Sequence, residues 1–349
     1  KDADCGARTG GDTRYRRGFE RRKMRLSRRL NGAIYPNLVS SGEFPVDGLF
    51  AHLFDGFDDP VHQEMSRQGS HLYWNDGSCR LGGREFLGQI ASKCYTQGNM
   101  SCLSCHSMHD APADDQLKPA ATRNSACTAC HPKFRETATL EAHTHHRANG
   151  HGSQCYNCHM PHTTYGLLSG IRSHQIDSPS VETHLKTGRP NACNLCHLNQ
   201  TLEWSSRHLT KWYGHRQPKL DNDDKTISAM LKMLLKGDAG QRAIAAWHMG
   251  WEPARNASGG HWQAGWLLRA RDDPYAAVRA IAHKALMADP EFANTPFDYT
   301  ASLAKRTQQI NTAKAAWLKG RPHGSAQQLE LLLDDQGKPL KDAADRLTD

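Results

Sequence analysis

Apolar positions divide the 349-residue chain into zones of different character. From 217 to 349 they recur at helical spacing, and the stretch reads as helix after helix. Arg242-Ala243-Ile244-Ala245 returns 37 residues later as Arg279-Ala280-Ile281-Ala282, each copy inside an amphipathic segment. The first segment opens at Asp238, the second at Asp273-Pro274. Pro274 suits a first helical position, with Asp273 as its cap. Leu329 to Leu333 is a short apolar run on a late helix, expected in a core. Between 101 and 216 apolar runs are few and short. Residues 49–100 mix aromatics with turn signals at Asn75-Asp76-Gly77 and Gly82-Gly83, where a short hairpin is expected. Residues 1–48 are basic and Gly-rich, with little periodicity. No run approaches the 18 or so apolar residues of a membrane span, so a transmembrane protein is not expected.

Composition sharpens this picture. Only 38% of residues are hydrophobic, low for a chain that must build its own core. The length suggests about two domains. The outliers are 11 Cys and 21 His, of which 8 and 14 lie in residues 101–216. That excess points to a metal or cofactor. Residues 217–349 have no Cys. The formal charge of +8 is concentrated in one arm carrying Arg14, Arg16, Arg17, Arg21, Arg22, Lys23, Arg25, Arg28 and Arg29. Such a run is a nucleic-acid or anionic-surface patch, or a solvated segment lying on the protein's own acidic groups. No nucleic-acid-binding motif accompanies it, so the second reading is preferred. No apolar h-region follows, so the arm is not a signal peptide. The start at Lys1 fits a processed or truncated product.

The chemistry lies in Cys-x-x-Cys-His, which occurs at Cys102/Cys105/His106, Cys127/Cys130/His131, Cys155/Cys158/His159 and Cys193/Cys196/His197. Chance supplies about 0.02 such matches in a chain of this composition. Two thiols three positions apart reach the two vinyl groups of one haem and form thioether bonds, and the adjacent His supplies the proximal iron ligand. Paired zinc ribbons also use Cys-x-x-Cys, but do not require a His after the second Cys. A thioredoxin-like redox pair would not repeat four times. Four covalent c-type haems are therefore expected. They also supply the apolar bulk that 101–216 lacks. Regular structure there should be sparse, with short helices holding the motifs. With each oxidised haem carrying roughly −1, the net charge falls to about +4, and the basic arm is in part a counter-charge to propionates.

Four irons need four distal ligands, and 101–216 holds ten further His: His109, His143, His145, His146, His151, His162, His174, His184, His208 and His215. His109 stands three residues after His106, too close to reach the far face of its own haem, so it is expected on a neighbour's iron. His162 repeats that spacing after His159. His145 or His146 precedes the third motif, and His174 precedes the fourth. His109, His145 or His146, His162 and His174 are the expected distal ligands. Met108 and Met160 are read as packing residues. Cys79 and Cys94 enclose a loop that a disulfide could close in an oxidising compartment, though sequence does not fix the pairing. Cys5 is left over.

These residues resemble a family. The run Cys102 to His109, Cys127 to His131, His143 to His146 before Cys155 to Pro161, Arg172-Ser173-His174, Pro190 to Cys193 and Lys211 to Gly214 is similar to the bacterial multihaem c-type cytochromes related to pentahaem nitrite reductases. The likeness covers about residues 72–214 and is weak before 70. It departs in two ways. The nitrite reductases carry a catalytic Cys-x-x-Cys-Lys haem, which is missing here, so nitrite reduction is not implied. Further haem motifs upstream, common in the group, are missing too. Members often carry HEAT-like or tetratricopeptide helices after the haem region. Asp273, Pro274, Val278, Arg279 and Ala282 form a pattern that resembles a HEAT repeat, whose helix pairs stack into a solenoid. The alternative is an unrelated all-helical domain.

The expected architecture is mainly α: a basic arm over 1–48, a haem-packed cytochrome region over 49–216 with little sheet, and a HEAT-like helical region over 217–349. Spacings of 25, 28 and 38 residues between motif starts hold neighbouring haems close. The first reading is an electron carrier with bis-His haems and no substrate, exported to the periplasm or cell exterior of a bacterium. Its partners are other redox proteins or further copies of itself in an oligomer or filament. The second is a haem enzyme acting on a small nitrogen or sulfur oxyanion at one open iron, with Tyr156, Arg147 and Lys186 near the pocket. The helical zone is expected to bind no cofactor and to serve in docking.

Overall fold

The computed structural model describes residues 72–320, apart from 108, 110, 113, 114 and 261. The basic arm, Cys5, Met108 and the Leu329–Leu333 run lie outside these residues. The protein is mainly α, with sixteen α-helices and one two-stranded sheet among the described residues. None of the described helices is long and apolar enough to cross a membrane. Two compact units form. The first comprises 72–79, 84–144 and 174–177. The second comprises 80–83, 145–173 and 178–320, so it takes in the third and fourth motifs together with the later helices.

In the first unit the Asn75-Asp76-Gly77 signal does make a turn. Gly77 has φ 79°, and Tyr73 bridges Cys79 in antiparallel fashion. Tyr73, Cys79 and Leu87 bury together, with Leu72 and Ile90 against them. No disulfide joins Cys79 and Cys94. The Cys79 thiol donates to the Arg84 carbonyl at 3.0 Å, and burial pushes its pKa up to about 11. Helices α1 (Glu85–Ala91), α2 (Lys93–Thr96), α3 (Cys102–Cys105), α4 (Ser125–Thr128) and α5 (Thr137–Thr144) complete the unit. All are short, because the stretch has few apolar residues with which to bury a longer one.

The second unit opens with α6 (Cys155–His159) and an antiparallel hairpin, β1 (Thr164–Gly166) and β2 (Ser169–Ile171), in the register Thr164↔Ile171, Tyr165↔Gly170 and Gly166↔Ser169. Its two-residue loop is Leu167-Leu168, both at positive φ (51° and 55°), where Asn-Gly is the usual choice. Next come α7 (Val181–Thr187), α8 (Ala192–Cys196) and α9 (Leu202–Tyr213). The helices α10 (Asn222–Thr226), α11 (Ala229–Lys236), α12 (Ala239–Gly250), α13 (Glu252–Ser258), α14 (Gln263–Ala270), α15 (Ala276–Leu286) and α16 (Leu303–Gly320) follow.

Side chains start these helices. Asp238 accepts from the Gly240 and Gln241 amides while Gln241 reaches back to the Asp238 amide, a capping box at the start of α12. The second copy of the repeat begins later than its sequence suggests. The helix starts at Ala276, not Pro274. The Asp273 carboxylate is held by Arg242 at 2.6 and 3.0 Å, and its Oδ1 caps only the Tyr275 amide. Within the copies Ile244 and Ile281 are equally buried, alongside Met249, Val278 and Leu286. At Gly250 a Cβ would stand 2.5 Å from the Ala285 Cα, so α12 and α15 meet where a side chain would not fit.

His184 on α7 is buried, and that burial lowers its pKa from the ordinary 6.5 to about 4, with Asp224 raising it and Lys232 lowering it. Between these values the unfolded chain binds the proton and the folded chain does not. Stability therefore rises with pH through this window and is lost as pH falls from about 6.5 towards 4, by about 1.4 kcal/mol per pH unit. Urea titrations at pH 7 and pH 5 read the slope. His184→Gln should make the slope shallower by about that amount, and an unchanged slope in that variant rules His184 out as a contributor.

Candidate haem centres

Each Cys-x-x-Cys-His sits on one turn of helix. In α3 the His106 amide donates to the Cys102 carbonyl at 2.9 Å, and the Ser104 hydroxyl accepts from the Ser101 amide at 3.0 Å. At the second motif the His131 amide donates to Cys127 across the end of α4. In α8 Asn191 accepts from the Cys193 amide at 2.9 Å, starting the turn that ends at His197. Cysteines three positions apart on a helical turn share one face. The helices α6 and α8 touch, and burial pushes the thiols of Cys158 to about 11 and of Cys193 and Cys196 to about 12. In the first unit burial likewise raises Cys105, with Cys130 adding to the shift.

Two of the four proximal imidazoles face a second imidazole. In the first unit His106 and His174 lie with ring centres 6.2 Å apart and planes 26° from parallel. In the second, His146 and His197 lie 6.0 Å apart at 28°. Two imidazoles bound to one metal from opposite sides, each through a nitrogen at about 2 Å, bring their ring centres to about 6 Å. Both separations match that distance. No three His, Cys, Asp or Glu gather into a metal-holding group among the described residues.

Local structure aims these rings. His106 Nδ1 lies 3.0 Å from the Asp115 carbonyl, which orients the ring and leaves Nε2 outward. His174 is carried on a segment laid against α1. Gly88 makes this approach possible, since a Cβ there would stand 2.7 Å from the Gln175 amide nitrogen. The Ser92 hydroxyl lies 3.1 Å from the His174 carbonyl and accepts from the Ile176 amide at 2.8 Å. Backbone conformation sends His145 and His146 different ways. His145 has φ 56°, a left-handed conformation that His tolerates better than most residues. It turns His145 out to stack on Trp212 at 4.2 Å and 15°, and His146 in towards His197. Gly152 keeps the space His146 occupies, because a Cβ there would overlap the imidazole. Burial, with His146 and His208 beside it, lowers the His197 pKa to about 4, so the ring is neutral at physiological pH.

The other expected ligands lie elsewhere. His109 is exposed and makes no ring contact with a described residue. His162 packs among Trp247, His248 and Trp251, at 4.5, 5.9 and 5.0 Å. His131 likewise faces no ring among the described residues, and His143 stacks on Phe134 at 4.7 Å. Sequence reasoning missed the aromatic ladder on α9. Trp204, His208 and Trp212 follow at 4.2 and 4.7 Å, and Trp204 lies 4.8 Å from His197. Their i, i+4, i+8 spacing was the available signal.

Residues 95–136, which span the first two motifs, match the family described as the doubled CXXCH motif. No curated protein and no solved structure matches the chain. The doubled motif, with the helical turns that present it, implies covalently bound haem c and supports a multihaem c-type cytochrome engaged in electron transfer.

Proposed function

We propose that the chain is a tetrahaem electron-transfer protein, exported to the periplasm or cell exterior, that passes electrons through its four haems to other redox proteins or to further copies of itself. The observation that carries this reading is the pair of facing imidazoles, His106 with His174 and His146 with His197, at 6.2 and 6.0 Å. We assign them as axial pairs of the first and fourth haems. Bis-His ligation closes both faces of an iron to substrate and gives a lower potential than His/Met ligation. Haem supplies the redox chemistry; the chain attaches it through thiols, fixes the imidazoles and brings α6 and α8 together so that the third and fourth motifs are neighbours. His109 is the donor we keep for an iron of the first unit. The helices after 217 act as a HEAT-like docking surface.

Intact mass spectrometry tests the haem number. The chain should exceed its 38.9 kDa polypeptide mass by four haems. Zinc with no haem would end the reading. An EPR spectrum of the oxidised protein should show low-spin iron throughout. A high-spin component in the wild type would turn the reading towards a haem enzyme.

A further inference from the structure

Arg172 makes contacts at the third motif that neither attachment nor ligation uses. Its guanidinium donates to the carbonyls of Tyr156 at 3.1 Å and Met160 at 3.2 Å, and to the Asn157 amide oxygen at 2.8 Å. It also lies 4.2 Å from the centre of the Tyr156 ring. All four contacts fall on or just after α6, the helix of Cys155, Cys158 and His159. The carbonyls at a helix C-terminus carry partial negative charge, and that of Tyr156 also accepts from the Met160 amide at 2.9 Å. In α6 that negative end lies beside His159. Arg172 therefore places a planar, weakly hydrated cation against the negative end of a haem-attachment turn.

We propose that Arg172 is a positioning residue that raises the reduction potential of the haem at the third motif and makes it the resting place for an electron within the row. This deepens, and rests on, the tetrahaem reading above. Reduction adds negative charge to a haem, and a nearby cation out of bulk water stabilises the added charge. A guanidinium stays charged at neutral pH. The helices α6 and α8 touch, so the fourth haem should feel a smaller effect of the same sign.

The test is a spectroelectrochemical titration of the full-length holoprotein as wild type, Arg172→Met and Arg172→Lys. In Arg172→Met one midpoint should fall by about a tenfold change in its one-electron equilibrium, ~59 mV, a second should fall less, and two should stay. Arg172→Lys keeps the charge without the fork and should move the same midpoint by less than half as much. All haems should remain low-spin in both variants. Four unchanged midpoints, four midpoints moving equally, a lysine variant shifted as far as the methionine one, or a haem turned high-spin would each overturn the proposal. The last would mean that Arg172 merely holds a ligand in place. Failure of the underlying reading looks different, because wild-type protein would then lack four haems by mass.

Discussion

His174→Ala should convert one haem from low-spin to high-spin and leave the rest as they are, and His146→Ala should do the same to a different haem. The expectation follows from the two imidazole pairs, each of which loses one partner while the proximal side stays attached through its thioethers. An EPR or near-infrared spectrum counts the converted iron, and added imidazole should restore the low-spin form. His145→Ala is the informative neighbour. Its ring stacks on Trp212, so its loss should leave every spin state untouched. Gly152→Ala should mimic His146→Ala in part, because the new methyl displaces the imidazole without removing it. His162→Ala should also leave the spin states alone, since its ring contacts are Trp247, His248 and Trp251. A fully low-spin spectrum in both His174→Ala and His146→Ala would show that the facing rings are not iron ligands.

The second large effect lies in the helices. Asp273→Ala should cost about 3–5 kcal/mol, because it leaves Arg242 half-buried without its carboxylate. The side chains are 19% and 7% exposed, so solvent screens the pair poorly. Asp273 Oδ1 also accepts from the Tyr275 amide, and that bond should survive in Asp273→Asn. Chemical denaturation followed by circular dichroism gives the loss for each variant, and Asn should recover part of it. A cost below about 1 kcal/mol for Asp273→Ala would place the pair among surface ion pairs.

The haem-attachment turns were legible in the sequence because that chemistry is local, with two thiols and an imidazole within five consecutive residues. The facing imidazoles were legible only as a supply of histidines. Which ring faces which depends on events far along the chain: Gly88 admitting the segment of His174, His145 in a left-handed conformation, and Gly152 leaving room. His162 illustrates the limit. Its spacing after His159 repeats that of His109 after His106, yet Trp247 on α12 and Trp251 just beyond its end take its ring. The helix after Asp273 shows the same limit on a smaller scale. Pro274 marked a start, but a carboxylate shared between Arg242 and the backbone delays it to Ala276. Arg172 carried no signal beyond its place in a run of motif residues.

The turns that carry the cysteines are only four or five residues long. A helix of one turn does not persist on its own in water. During biogenesis these segments therefore reach the attachment machinery as extended, accessible peptide, and the thioether bonds come before the fold. Porphyrin supply then becomes a checkpoint on maturation: a chain that misses a haem keeps a stretch too polar to collapse by itself.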